Sequence, residues 1–222
     1  MPIITSNDNN MDFRSIIEQY TEVPISRHLI LELLKDYKRP NDKISELINS
    51  KELISIRRGL YIIGPKINMP SPAPFLIANH LRGPSYISLD SALSYWNMIP
   101  ERVYEISSVT MKTSKVYKTD IGRFSYQQTK IPYYSYGIKT EQYSTKQAVL
   151  IASREKALCD KIVLSANINL RSIKQTKSYL MEDLRIDREV LLKLDTDVIE
   201  SWVDKIPKKS SIRMLIKTLK EL

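Results

Sequence analysis

Four prolines stand in the ten residues from Pro65 to Pro74, and they divide the 222-residue chain into two unequal parts. Proline restricts φ and has no backbone N–H, so this density disfavours a helix and favours an extended connector. We therefore predict an N-terminal domain over residues 1–66, a linker over residues 67–74 and a second domain over residues 75–222.

The first part carries apolar residues at helical spacing in three stretches, which are residues 11–20, 26–37 and 41–50. Pro40 precedes the third stretch, and Asn41 and Asp42 are residues that often cap a helix start. The spacing predicts three short helices.

Residues 53–63 change to a period of two, which is typical of strands, and Gly59 can supply the positive φ of a tight turn. This pattern predicts a β-hairpin with Arg57 and Arg58 at its tip. Three helices followed by a hairpin is the order of a winged helix-turn-helix, in which the third helix enters the major groove and the hairpin reaches the backbone.

The second part contains apolar residues both at helical spacing and at the strand period of two. Helices are predicted over residues 75–82, 89–97, 154–163, 173–180, 187–194, 198–206 and 211–222, and strands over residues 86–87, 102–111, 122–128, 134–139 and 147–151. The predicted fold class is α+β, with a winged helix-turn-helix followed by a mixed α/β domain that ends in helices.

The chain has 34 basic and 25 acidic residues, which gives a formal net charge of +9 at pH 7. The excess is uneven, because residues 205–220 contain six basic residues and no acidic one. A surface of this kind attracts polyanions, so nucleic acid is the leading partner class.

The scarcity of glycine and cysteine excludes several classes of binding site. The five glycines are scattered, so they form neither a phosphate loop nor a dinucleotide fingerprint. Cys159 is the single cysteine and allows no internal disulfide or thiolate zinc cluster. No apolar run approaches the ~18 residues of a membrane span. We expect a cytoplasmic protein with no cofactor, no metal and no membrane association.

Candidate DNA contacts fall on the third helix and on the hairpin. Lys43, Ser45 and Asn49 lie on the outward face of the helix and can touch phosphates or base edges. Asp42 and Glu46 on the same face favour the alternative of an ordinary solvated surface. Arg57 and Arg58 at the turn have the stronger case, because a projecting pair of guanidinium groups suits the sugar-phosphate backbone.

Two further basic regions have a structural and a functional interpretation. Six tyrosines alternate with basic residues over residues 115–146, which suits either base stacking or half-buried strand positions. The basic run at the C-terminus contains apolar residues at helical spacing, so its charges are most simply the exposed face of a packing helix.

Catalytic groups are sparse, because His28 and His80 stand in no zinc or nucleophile spacing. Ser153 and Lys156 have the spacing of some acyl enzymes, but the companion motifs are missing. We interpret Ser153 as a helix N-cap and Cys159 as a core residue, and we predict that the protein is not an enzyme.

Three segments together resemble a known family. They are Arg58-Gly59-Leu60-Tyr61 in the hairpin, residues 86–93 (Tyr-Ile-Ser-Leu-Asp-Ser-Ala-Leu) and residues 152–160 (Ala-Ser-Arg-Glu-Lys-Ala-Leu-Cys-Asp). In this order they resemble the AbiEi-type antitoxins of bacterial type IV toxin-antitoxin and phage abortive-infection systems.

The resemblance implies an N-terminal winged helix that represses its own operon by binding inverted repeats, and a C-terminal domain that counteracts a cognate nucleotidyltransferase-like toxin. Repressors of inverted repeats act as two copies, so we expect a dimer on DNA. The DNA contacts that it implies are those named above. The residues that it marks as signatures of unknown role are Ser88, Ser91, Glu155, Lys156 and Asp160.

Our structural interpretation of these signatures is that Ser88 caps the helix beginning at Leu89, and that Glu155, Lys156 and Asp160 join a helix to the sheet. An alternative to the repressor remains open. In it, the C-terminal domain binds a toxin or its RNA substrate, and the winged helix is a protein-interaction module.

Overall fold

The computed structural model describes residue 15 and residues 17–222, and the fold over these residues is α+β. The α-helices are α1 (Arg27–Leu33), α2 (Pro40–Asn49), α3 (Pro74–Leu81), α4 (Leu89–Tyr95), α5 (Arg154–Leu164), α6 (Ile173–Ser178), α7 (Arg188–Leu191), α8 (Thr196–Trp202) and α9 (Lys209–Lys220). The strands are β1 (Ile25–Ser26), β2 (Leu53–Arg57), β3 (Leu60–Ile63), β4 (Ser85–Ile87), β5 (Glu105–Thr110), β6 (Lys115–Thr119), β7 (Gly122–Gln128), β8 (Ile138–Gln142) and β9 (Ala148–Ala152).

The N-terminal helices follow the predicted stretches with shifted ends. Half of the predicted helix over residues 11–20 lies outside the described residues, and Glu18–Tyr20 form a 3-10 turn. Helix α1 is capped by the Ser26 hydroxyl, which accepts from the Leu29 N–H. Helix α2 starts at Pro40 with Arg39 as its N-cap, so the expected caps at Asn41 and Asp42 are wrong. Proline is suited to the first helical position because no partner is needed there for an N–H.

Strands β1, β3 and β2 form a three-stranded antiparallel sheet, and the predicted hairpin is confirmed. Gly59 has a φ of +82°, as the turn requires. The hairpin divides its apolar side chains between two buried clusters. One set packs with α1 and α2 (Leu53, Tyr61, Ile63), and the other belongs to the large cluster of the second part (Ile56, Leu60, Ile62).

The proline-rich segment is less extended than predicted. Pro65–Ile67 form a 3-10 turn, and α3 begins at Pro74, inside the predicted linker. Both prolines occupy an early helical position, where the missing N–H costs nothing. Gly64 precedes the segment and lies so close to the Lys51 carbonyl that a Cβ would be 2.1 Å from its oxygen.

The second part is built on a six-stranded mixed sheet in the order β6-β7-β5-β4-β9-β8. Pairs β5–β7 and β4–β9 are parallel, and the other neighbours are antiparallel. Strand β6 was not predicted. The strand predicted over residues 134–139 is wrong in its first half, because Tyr133–Ser135 form a 3-10 turn and Gly137 has a φ of +61°.

Helix α5 belongs to the core of the second part, with seven of its eleven residues buried. Helices α6 to α9 follow and complete the large cluster, in agreement with the predicted helical ending. Tyr179–Asp183 continue α6 as a π-helical turn. Across the described residues, no helix has both the length and the apolar character that crossing a bilayer requires.

Candidate nucleic-acid interface

Helix α2 carries three of the predicted DNA contacts, and the structure places them in different environments. Lys43 lies 2.8 Å from the Glu46 carboxylate and 5.7 Å from the ring centre of Tyr37, and only 11% of its side chain is exposed. Ser45 is exposed and donates to the Asn41 carbonyl, and Asn49 is exposed. Lys43 is therefore already paired, whereas Asn49 is accessible to a partner.

The start of α2 is tied to α1 by a polar contact. The Arg27 guanidinium donates to the Asn41 amide oxygen at 2.7 Å, and the Arg27 N–H donates to the Gly59 carbonyl at the hairpin turn. These bonds place the start of α2 and the tip of the hairpin on either side of Arg27. The two predicted contact regions are thus linked through one residue.

At the hairpin tip, the two arginines differ in their contacts. Arg57 donates from Nε to the Leu81 carbonyl at 2.9 Å, which anchors the hairpin to the end of α3. The Arg58 side chain is exposed, and among the described residues its guanidinium has no hydrogen-bond acceptor and no carboxylate at ion-pair distance. Arg58 is the freer of the two cations.

Two further cations lie near Arg57 that the sequence analysis did not single out. Arg82 follows α3, and Lys112 lies between β5 and β6. Together with Arg57 they line a cavity of about 400 Å³. No sequence pattern joins positions 57, 82 and 112, because the sheet and α3 bring them together only after folding.

The signature residues lie elsewhere, in the core of the second part. Asp160 on α5 is fully buried and accepts four polar contacts. The Tyr133 hydroxyl donates to Oδ1 at 2.7 Å, the Ser88 and Tyr86 hydroxyls donate to Oδ2 at 2.7 and 3.0 Å, and Lys156 Nζ is 3.2 Å from Oδ1. We call these five residues the Asp160 cluster.

Lys156 is the cation of the Asp160 cluster and is also fully buried. Its ammonium donates to the Tyr133 carbonyl at 2.9 Å and lies 3.2 Å from the centre of the Tyr133 ring. Burial lowers the pKa of Lys156, and the nearby Asp160 carboxylate opposes that shift. Burial, followed by the charge of Asp160, raises the pKa of Tyr86 and Tyr133.

The structural interpretation is confirmed for Asp160, because its bond from the Tyr86 hydroxyl joins α5 to β4. Lys156 pairs with Asp160 on its own helix and donates to the turn at Tyr133, so its ion pair and hydrogen bond do not reach the sheet. Ser88 occupies the N-cap position of α4 as expected, but its hydroxyl donates to Asp160 and makes no cap bond. A buried carboxylate is costly unless donors surround it, so the Ser88 hydroxyl serves Asp160.

Glu155 does not reach the sheet. Its carboxylate accepts from the Ser153 hydroxyl at 2.8 Å and from the Asp195 N–H at 3.3 Å, so it joins α5 to the start of α8. The Ser153 cap is confirmed, because its hydroxyl accepts from the Lys156 N–H. Burial raises the pKa of the Cys159 thiol, which is fully buried in the core as expected.

Ser91 also has a structural contact. Its hydroxyl donates to the Glu105 carbonyl at 3.1 Å and accepts from the Ser107 N–H at 2.8 Å. These bonds fix α4 to β5. The buried signature residues are therefore held inside the second part and are not accessible to a partner.

The tyrosine-rich stretch and the C-terminal basic run mainly serve packing. Tyr126 and Tyr133 are fully buried, and the Tyr126 hydroxyl donates to the Ala78 carbonyl, so the expectation of half-buried side chains is wrong for both. Helix α9 buries its apolar face, as predicted. Lys209 pairs with Asp204, and Lys220 lies 2.8 Å from Glu200.

Comparison with known proteins supports the fold alone. The sequence matches no family model and no curated protein. The chain is similar to the crystal structure of the RV2827C protein from Mycobacterium tuberculosis, with a TM-score of 0.62 and 9% sequence identity. The alignment covers 96% of this chain and 77% of that chain. At this identity the similarity concerns the arrangement of helices and strands.

Proposed function

We propose that the protein is a DNA-binding transcriptional autorepressor and an antitoxin of AbiEi type, which counteracts a nucleotidyltransferase-like toxin. In this proposal residues 1–66 form a winged helix-turn-helix that binds inverted repeats in the protein's own promoter. Residues 75–222 form the antitoxin domain, and the protein acts in the cytoplasm without catalysing a reaction.

The observation that carries the proposal is the order of elements around the hairpin tip. Helix α1, helix α2 and the β2–β3 hairpin follow one another within 37 residues, from Arg27 to Ile63. This order is typical of a winged helix, whose recognition helix and wing contact adjacent parts of a duplex. The exposed Arg58 at the turn is placed as a backbone contact of the wing would be.

Charge also supports a polyanionic partner. The net charge of +9 favours association with DNA through release of counterions. The resemblance of the hairpin, of residues 86–93 and of residues 152–160 to AbiEi antitoxins adds the antitoxin role. The buried contacts of the Asp160 cluster support a stable scaffold for that role.

One observation favours the alternative of a protein-interaction module. The Lys43 charge on α2 is paired with Glu46, and Asp42 is also exposed on the first turn. Exposed carboxylates repel the phosphates of a duplex. In this alternative, the protein antagonises a toxin or binds its RNA substrate without selecting an operator.

The deciding experiment is fluorescence anisotropy of the full chain on its own upstream DNA and on a scrambled duplex, each across a salt series. We expect a preference of at least ~10³ for the upstream DNA that persists as salt rises. Equal and steeply salt-dependent binding to the two duplexes would contradict the repressor and favour the antagonist.

Arg58→Gln tests the wing directly. We expect a loss of duplex affinity on the order of 1 kcal/mol and a shallower salt dependence, because one phosphate contact is lost. Lys139→Gln is the matched control, since Lys139 is exposed on β8 at the opposite edge of the large sheet from β6. Equal affinities of the two variants would remove the wing from the interface.

The antitoxin role is tested in cells by co-expression of the full chain with the nucleotidyltransferase-like toxin of the same operon. We expect growth to be restored, and we expect Arg58→Gln to restore growth equally while repressing less. Failure of the wild-type chain to restore growth would refute the antitoxin role and leave the repressor role standing.

A further inference from the structure

The cavity lined by Arg57, Arg82 and Lys112 lies between the hairpin and the second part, and we call it the cationic cavity. Arg57 comes from the end of β2, Arg82 follows α3, and Lys112 follows β5. Its wall also includes His80 and Tyr117. It therefore combines side chains of both predicted domains.

Each cation of the cationic cavity is held by oxygen atoms that carry no formal charge. Arg57 Nε donates to the Leu81 carbonyl, and Lys112 donates to the Gly83 carbonyl. Arg82 donates from Nε and Nη2 to the Thr113 carbonyl at 3.1 and 2.6 Å, from Nη2 to the Thr113 hydroxyl at 2.9 Å, and from Nη1 to the Tyr117 hydroxyl at 3.3 Å. The side chains are thus oriented without being neutralised.

The cationic cavity has no acidic residue in its wall. Within the described part of the chain, none of its three cations has a carboxylate at ion-pair distance. By contrast, Arg123 is paired with Glu105 and Arg185 with Glu101. Three like charges around one concavity produce a positive potential that attracts an anion.

The chemistry of the donors fits a phosphate group better than a carboxylate. A guanidinium has five N–H donors in a planar fork and an ammonium has three, so three donors remain on Arg57, one on Arg82 and two on Lys112 after the bonds within the protein. Phosphate oxygens accept several such bonds at once, and arginine suits them bidentately. A cavity of about 400 Å³ also has room for the sugar attached to a phosphate.

His80 in the cavity wall adds no positive charge near pH 7. Desolvation lowers the pKa of His80, so the imidazole is neutral near pH 7. The cations in the wall are Arg57, Arg82 and Lys112. The attraction for an anion therefore comes from these three side chains.

We propose that the cationic cavity binds a phosphate group. The phosphate has two sources with the same chemistry, a phosphodiester of duplex DNA lying along the hairpin or the phosphomonoester of a free nucleotide. The first source rests on the proposed DNA-binding function and extends the contact surface from the hairpin to Arg82 and Lys112. The second source is independent of that function.

The test compares two full-length double variants that each remove two positive charges. Arg82→Gln with Lys112→Gln alters the cationic cavity. Lys139→Gln with Lys174→Gln is the control, because both lysines are exposed on β8 and α6, away from the cavity wall. The probes are a random-sequence duplex of about 30 base pairs, inorganic phosphate and deoxyadenosine 5′-monophosphate.

We expect the cavity variant to lose at least ~10-fold in affinity for one class of probe, while the control variant loses less than ~3-fold. A loss confined to the duplex assigns the site to a phosphodiester. Calorimetric binding of inorganic phosphate or the nucleotide to the wild type, abolished in the cavity variant, assigns it to a phosphomonoester. Equal behaviour of both variants on every probe overturns the proposal.

Lys112→Gln alone guards against a folding defect in the double variant. It removes one bond from an exposed side chain to the Gly83 carbonyl, so the fold should be retained. Its affinity should fall ~3-fold or more below that of Lys139→Gln, and equal affinities would again refute the site. The random duplex separates this test from operator selectivity, because the proposed repressor can fail on selectivity while the cationic cavity still binds phosphate.

Discussion

The charges around the hairpin and the charges on α5 contrast in what they contact. Around the hairpin, Arg58 faces solvent, and Arg57 donates to the carbonyls of Leu81 and Arg58. On α5, Lys156 and Asp160 are fully buried against each other and against tyrosine hydroxyls. The first group retains charge for a partner, whereas the second group satisfies its charges within the fold.

A charged residue in this sequence therefore serves either the stability of the fold or the binding of a partner. A buried ion pair makes the fold depend on both partners, because removing one leaves the other uncompensated. An exposed cation contributes little to stability and instead sets the attraction for an anion. Substitutions on α5 should therefore change stability, and substitutions around the hairpin should change binding.

The largest effect is expected for Asp160→Asn. The substitution leaves the buried Lys156 without a counter-charge, so the free energy of unfolding should fall by about 3–5 kcal/mol. Chemical denaturation of the full chain measures this. Asp90→Asn is the control, because Asp90 pairs with Lys161 at a partly exposed site and should cost no more than about 1 kcal/mol. Equal losses of unfolding free energy in the two variants would show that the buried ion pair matters no more to stability than the exposed one.

The second-largest expected effect is a loss of stability at alkaline pH. Tyr86 and Tyr133 have raised pKa values when folded, so their stabilisation is complete below about pH 10, where unfolded tyrosine ionises, and is lost as the pH rises further. Each should contribute a slope of up to about 1.4 kcal/mol per pH unit. The lowered pKa of Lys156 has the opposite effect, because it makes the unfolding free energy rise with pH below about pH 10.5.

Denaturation of Tyr86→Phe between pH 9 and pH 11.5 isolates one of these tyrosines. Its unfolding free energy should be lower than that of the wild type at pH 9 and should decline less steeply above about pH 10. A slope identical to that of the wild type would show that Tyr86 does not supply the alkaline transition.

Arg57→Gln should show an intermediate effect, because Arg57 both anchors the hairpin and lines the cationic cavity. Loss of the bond to the Leu81 carbonyl should lower the unfolding free energy by about 1 kcal/mol, and duplex affinity should also fall. Thermal denaturation and anisotropy on one preparation measure both effects. A change in unfolding free energy alone would make Arg57 a purely structural residue. A change in duplex affinity alone would make it purely a DNA contact.

The smallest effect is expected for Lys220→Gln on α9. Its ion pair with Glu200 is exposed, so the unfolding free energy should change by about 0.5 kcal/mol or less. Duplex affinity should be nearly unchanged, because the Lys220 ammonium is already engaged by the Glu200 carboxylate. A loss of affinity equal to that of Arg58→Gln would make the C-terminal basic run a second contact for DNA.

The sequence predicted the elements whose pattern is local. The hairpin followed from the period of two and from Gly59, and the start of α5 followed from the Ser153 cap. Strand β6 was missed because it is an edge strand with mostly exposed side chains, which weakens the alternation. The 3-10 turn at Tyr133 was missed because aromatic residues mimic a strand there.

Sites that depend on tertiary contacts were harder to predict. The pairing of Lys156 with Asp160 is visible as an i, i+4 spacing, but its burial with Tyr86 and Ser88 is not. The cationic cavity is not visible at all, since its three cations are separated by 25 and 30 positions. Such a site becomes recognisable only when the sheet and α3 are in place.

The division of the hairpin between two buried clusters limits how the gene can recombine. Residues Ile56, Leu60 and Ile62 belong to the same cluster as Ile77 and Leu81. A chimera that exchanges residues 1–66 at the proline-rich segment would bring these three apolar side chains against a foreign surface. Exchange of the first part should therefore be tolerated best when α3 comes from the same parent.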